Sequence, residues 1–219
     1  MFRKNADSPQ FALPPHLWRI RPIQLMVVDL GDWLIPFVGI NLLWVASCLT
    51  VILLPPATAA LFAAAHLSFQ NHPPTAGQFL ASMRRWFVTS WLITFANVLI
   101  IGGLFLLGRL VYASEILLAA IAVLTAGIIW IQFLFWPFML LQAKPSPIQA
   151  IRNSAFTIMG DLPYFAGYLA LIILILLTSA ILIAPVFFVT PVLFALINTY
   201  SLCVWLQHRG ILNTEKRDV

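Results

Sequence analysis

Charge is what this chain has least of. Only 9% of its 219 residues are Asp, Glu, Lys or Arg, against 62% hydrophobic residues and a mean hydropathy of +0.97. A soluble chain of this length needs a charged surface to remain in water, so composition excludes that class. Cysteine is scarce as well: Cys48 and Cys203 both fall inside apolar stretches, where cysteine ordinarily serves as a small buried hydrophobe. The four histidines, His16, His66, His72 and His208, are scattered without metal-ligand spacing, and no His-Glu-x-x-His element occurs. A Gly-x-Ser-x-Gly elbow, a glycine-rich phosphate loop and a carboxylate pair deep in an apolar stretch are also missing. No catalytic residue, cofactor or metal site is therefore expected, and the chain reads as a non-enzyme.

What is present is a set of long charge-free runs. Trp86 to Gly108, Ile116 to Ala143 and Leu162 to Gln207 carry no Asp, Glu, Lys or Arg. Each can cross a bilayer, because about 20 apolar residues at roughly 1.5 Å rise cover a hydrocarbon core of about 30 Å. The last run is long enough for two crossings, with a turn expected at Ala184-Pro185. The run from Trp33 to Ala65 is interrupted by Pro55-Pro56. Its first arm, Trp33 to Leu54, is expected to be a full span, and its return arm, 56–70, a short tilted or re-entrant helix. The pairs Ala59/Ala63 and Ala60/Ala64 allow close backbone approach, which suits the bundle interior rather than a lipid-facing position. The expected fold is an all-α polytopic transmembrane helical bundle with six membrane segments, one of them short or re-entrant, and interfacial elbow helices.

Charge distribution orients this layout. Arg3, Lys4, Arg19, Arg21, Arg84, Arg85, Lys144, Arg152, Arg209, Lys216 and Arg217 fall on one side of a six-crossing arrangement, leaving only Arg109 on the other. The positive-inside rule then puts both termini in the cytoplasm, and no export peptide is expected. The net charge of +5 comes from small basic groups between apolar spans rather than from a basic module, so a nucleic-acid partner is not indicated. The lipid bilayer is the expected partner; oligomeric state is not encoded legibly. The chain reads as one integral membrane domain over 1–219: an interfacial N-terminal segment 1–32, a broken hairpin 33–54 and 56–70, two units 75–142 and 146–208, and a tail 209–219.

Each of those two units is expected to open with an elbow at headgroup level. Thr75 with Gln78, and Ser146 with Gln149, have the spacing of a capping box, in which a hydroxyl and a glutamine three residues later satisfy each other's free N–H groups. Arg84 and Arg85 beside Trp86 and Phe87, and Arg152 ahead of Phe156, give the elbows an amphipathic basic character. They serve as topological anchors or as a docking surface for a membrane-protein partner or anionic lipid. Two elbow-plus-two-span units in succession suggest a weak parallel internal repeat.

Polar residues within the spans are few: Asn41, Thr50, Asn97, Gln132 and Asn198. Interhelical hydrogen bonding is their ordinary role; a solute-binding site formed by Asn41, Asn97, Gln132 and Asn198 is the alternative. Asp29 and Asp32 precede the first span, where acids at a helix N-terminus and a wet interface are expected. Arg109 and Glu115 flank an external turn and have the option of pairing across it.

From Val38 to Phe62 the chain resembles the YesL-like family of bacterial integral membrane proteins, a domain of unknown function. The likeness is carried by Asn41, Leu42 and Trp44, then by Pro56, Ala57, Ala60 and Leu61. The segment Phe79 to Phe87, with Arg84 and Arg85, is similar to that family's Phe-rich basic elbow. Thr50, Leu53 and Pro55 depart from the family pattern, which has proline, threonine and glycine at those places. The resemblance implies a multi-span protein of the bacterial inner membrane, in a family linked with carbohydrate uptake and without an established activity. The functional expectation is a non-enzymatic accessory or assembly factor, with an uptake-system component as possible partner; the alternative is a small-solute or lipid permease.

Overall fold

The computed structural model describes residues 15–112, 114–181 and 189–212. After a short 3-10 turn at Pro15–Ile20 come α1 (Arg21–Asp32), α2 (Leu34–Cys48), α3 (Leu54–Phe69), α4 (Ala76–Leu110), α5 (Glu115–Leu141), α6 (Pro147–Gly160), α7 (Leu162–Ile181) and α8 (Thr190–His208). No strand occurs among the described residues. Five of these elements are long and apolar enough to cross a membrane, and α1 with α2 adds a sixth candidate if that pair, bent by 91°, counts as one span. The polytopic helical bundle expected from composition is therefore the fold.

α3 lies at its centre. Ala57, Ala59 and Ala60 are fully buried, and Ala63, Ala64 and Ala65 nearly so. With no side chain beyond Cβ, this helix brings its backbone close to α2, α4, α5 and α8 at once. α8 is the second central helix. It runs parallel to α3, since Phe62 meets Phe194 edge-on at 5.9 Å and Phe69 meets Tyr200 at 5.2 Å.

Four local expectations are corrected. The break in the first apolar run is at Leu49–Thr50, where Thr50 is extended (φ −112°, ψ 115°), and not at Pro55-Pro56. The prolines occupy the first turn of α3, which lacks intrahelical N–H partners anyway and so tolerates them. The short arm is consequently α2, 15 residues or about 22 Å, while the return segment Val51–Phe69 has 19 residues. The elbow expected before Trp86 is no separate helix. α4 is continuous over 35 residues, about 52 Å, because nothing between Gly77 and Trp86 breaks it. Its N-terminus does carry the expected capping box of Thr75 and Gln78. Ser146 caps nothing with its side chain; its N–H instead donates to Gln142 Oε1 at 2.7 Å, tying the loop back to α5. Finally, Asp29 and Asp32 form the last turn of α1; Asp32 does directly precede the Trp33 N-cap of α2, but Asp29 is buried rather than at a wet interface. The turn expected at Ala184-Pro185 lies outside the described residues.

One end of the bundle is tied together by aromatic and ionic contacts. Trp18 stacks between Tyr164 (4.9 Å) and His208 (4.0 Å), Tyr168 donates to the Arg19 carbonyl at 2.6 Å, and Arg19 pairs with Asp161 at 3.5 Å. The starts of α1, α4, α6 and α7 and the ends of α3 and α8 therefore share this end, and with them Arg19, Arg21, Arg84, Arg85, Lys144, Arg152 and Arg209. Arg109 lies at the far end of α4, its guanidinium 5.5 Å from the Phe105 ring rather than paired with Glu115.

Candidate functional site: two polar clusters in an apolar bundle

α4 and α5 form an antiparallel hairpin, and Trp86 against Trp136 at 5.9 Å fixes its register at the inner end. That register brings Asn97 and Gln132 together: Gln132 Nε2 donates to Asn97 Oδ1 at 2.9 Å. The two amides face a cleft of about 330 Å³, bounded also by Thr58 and Phe62 of α3, Thr94 of α4 and Phe194 of α8. The cleft is mostly apolar and half open to the surroundings. Within it, Thr58 is already engaged, donating to the Leu54 carbonyl at 3.0 Å and accepting from Trp44 Nε1 at 3.3 Å.

Asn97 is twelve residues from Arg85 and twelve from Arg109, so the pair lies about 18 Å along α4 from either charge. If those arginines mark the two interfaces, the amides sit at the bilayer midplane, where an amide without a partner costs the most. The α2–α3 turn also reaches this region, through Trp91 Nε1 donating to the Ile52 carbonyl at 3.0 Å. Beyond it, α4 and α5 continue for several turns as a two-helix arm. The most apolar stretch of each has no buried residue, whereas 78% of that of α8 is buried.

The other two expected residues do not join the cleft. Asn198 is buried in α8 and donates from Nδ2 to the Phe194 carbonyl at 2.7 Å, within its own helix. Asn41 is fully buried on α2. The four amides thus line no common cavity. Arg84, Arg85 and Arg152 are exposed at the basic end; Arg85 lies over the Trp86 ring at 5.3 Å, and none of the three makes an ion pair among the described residues.

A second cluster escaped sequence reasoning. Tyr200 of α8 donates its hydroxyl to Asp29 Oδ2 of α1, and Ser68 of α3 lies 2.9 Å from the same hydroxyl. A phenol has one proton, so with it directed to Asp29 the remaining bond must come from Ser68, giving the chain Ser68 to Tyr200 to Asp29. Ser68 and Tyr200 are fully buried, and Asp29 is 8% exposed. The carboxylate locks the amphipathic α1 onto the two central helices. The signal available in the sequence was an acid just before an apolar run and a tyrosine inside another, but their separation of 171 residues hid the pairing.

Comparison with known proteins adds one finding. Residues 37–108, which contain most of α2, all of α3 and nearly all of α4, are similar to a family described as "Protein of unknown function, DUF624". No curated protein matches the chain, and no solved structure does. The likeness covers 72 of the 219 residues and is to an uncharacterised family of membrane-protein type.

Proposed function

We propose that the protein is a non-enzymatic accessory or assembly factor of the bacterial inner membrane, with both termini in the cytoplasm. Its partner, on this reading, is a component of a solute-uptake complex, carbohydrate systems being the class suggested by the resemblance to the YesL-like family. The observation that supports it is the set of exposed arginines at the basic end, Arg84 and Arg85 on α4 and Arg152 on α6, which make no ion pair among the described residues and stand on helices rooted in the packed core. A surface of this kind suits an acidic face of a neighbouring protein. Crosslinking in native membranes followed by affinity capture tests the reading: wild type is expected to retain a specific membrane partner that Arg84→Glu with Arg85→Glu releases. Absence of any specific partner would sink it.

The cleft beside Asn97 and Gln132 favours a second reading, a small-solute permease. It predicts solute flux into vesicles that is lost in Gln132→Leu. Sealed vesicles with no sugar or polyol flux would remove it.

A further inference from the structure

We infer that two copies of this chain associate through their α4–α5 arms, with Asn97 and Gln132 at the centre of the interface. After Gln132 Nε2 has donated to Asn97 Oδ1, Asn97 Nδ2 keeps its donors and Gln132 Oε1 keeps its acceptor sites, and neither makes another hydrogen bond among the described residues. With Arg85 and Arg109 at the two interfaces, whatever covers them lies near the bilayer midplane, offers at least one acceptor and one donor, and fits against long apolar helices. Acyl chains meet the first and third conditions but have no polar group at that depth. A dissolved solute in the cleft meets the second but leaves the exposed apolar turns of the arm uncovered.

A transmembrane helix carrying an amide meets all three, and this chain has such a surface. A two-fold axis through the pair lets Asn97 Nδ2 of each copy donate to Gln132 Oε1 of the other, so that one isologous interface gives both groups a partner. The apolar flanks are ready for it. Val98 and Phe105, each within about 100° of Asn97 around α4, are more than half exposed, and the arm's outer turns are covered by no other described element. The α2–α3 turn ends near Trp91, leaving room beside those turns for a second arm.

The test uses the full chain, labelled near its C-terminus with donor or acceptor dye and reconstituted in phosphatidylethanolamine and phosphatidylglycerol vesicles over a range of protein-to-lipid ratios. Energy transfer is expected to report a dimer that exchanges on dilution. Asn97→Leu and Gln132→Leu are each expected to weaken it by about tenfold, the scale of an interhelical amide hydrogen bond. Asn97→Gln, which keeps the amide, is expected to retain most of the association, and unchanged helicity of all variants separates loss of pairing from loss of fold. A monomer at every density, or a dimer indifferent to both leucine substitutions, overturns the inference. Neither outcome bears on the basic face, whose partner is tested separately by capture.

Discussion

Tyr200→Phe isolates the buried hydroxyl that joins three helices. The ring keeps its edge contact with Phe69, so the substitution removes one oxygen and little packing. Two bonds go with it. The Asp29 carboxylate loses a donor, worth about 1.5–3 kcal/mol for a hydrogen bond to a charged group, and the fully buried Ser68 hydroxyl loses its acceptor, worth about 1 kcal/mol. The expected loss is therefore about 3 kcal/mol of unfolding free energy. Ser68→Ala alone should cost about 1 kcal/mol, and the double variant should fall short of the sum by about the same amount, because both substitutions remove one shared bond. Equilibrium unfolding in mixed micelles, followed by tryptophan fluorescence, measures all three. A Tyr200→Phe loss below about 0.5 kcal/mol, or strict additivity with Ser68→Ala, would refute the proton direction and the locking role assigned to the cluster.

Other substitutions check separate parts of the fold. Ala60→Leu inserts three carbons where α3 has no free surface, and overpacking should destabilise by about 1–3 kcal/mol in the same unfolding assay, whereas Ala81→Leu on the exposed start of α4 should be near neutral. Thr75→Ala should cost about 1 kcal/mol through loss of the capping box, while Ser146→Ala, at a helix start that uses no side-chain cap, should fall within about 0.3 kcal/mol of wild type. In sealed spheroplasts of the cysteine-free protein, Arg109→Cys should react with an impermeant maleimide and Lys144→Cys only after lysis; the reverse pattern would refute the charge-based orientation.

The alanine-rich helix was legible because its signal is local: small residues four apart in an apolar run have few uses besides close packing, and the alanines from Ala57 to Ala65 are buried accordingly. The break before it was not. Proline is the conspicuous residue, yet in the first turn of a helix it removes no hydrogen bond, and the true interruption at Thr50 looks like any other apolar-run position. The expected elbow before Trp86 failed for a related reason. An amphipathic turn followed by a hydrophobic span differs in composition but contains no breaker, so the helix continues through it. Before α7 the chain does bend, at Asp161 with φ −150° and ψ 64°, and there α6 stands as an elbow of its own.

The polar site divides along the same line between local and distant information. In an antiparallel hairpin, Asn97 lies thirteen residues before the end of α4 and Gln132 seventeen after the start of α5, one helical turn apart in depth, so their meeting follows from topology alone. Asp29 and Tyr200 are joined by no such relation. Their contact depends on α1 folding back across the bundle after a 91° bend, which no pattern in the apolar run announces. The bend also shows that the chain repeats one device three times rather than twice. An amphipathic stretch on the basic end precedes the hairpins α2–α3 and α7–α8 and forms the first turns of α4 itself, and among the described residues α4, at about 52 Å, is roughly twice as long as α2 or α3. Among the described residues, equal anchoring with unequal reach lets α4 and α5 extend farthest from the basic end. The amides with unused donors and acceptors stand where that arm leaves the bundle, which is where the inferred second copy would pack.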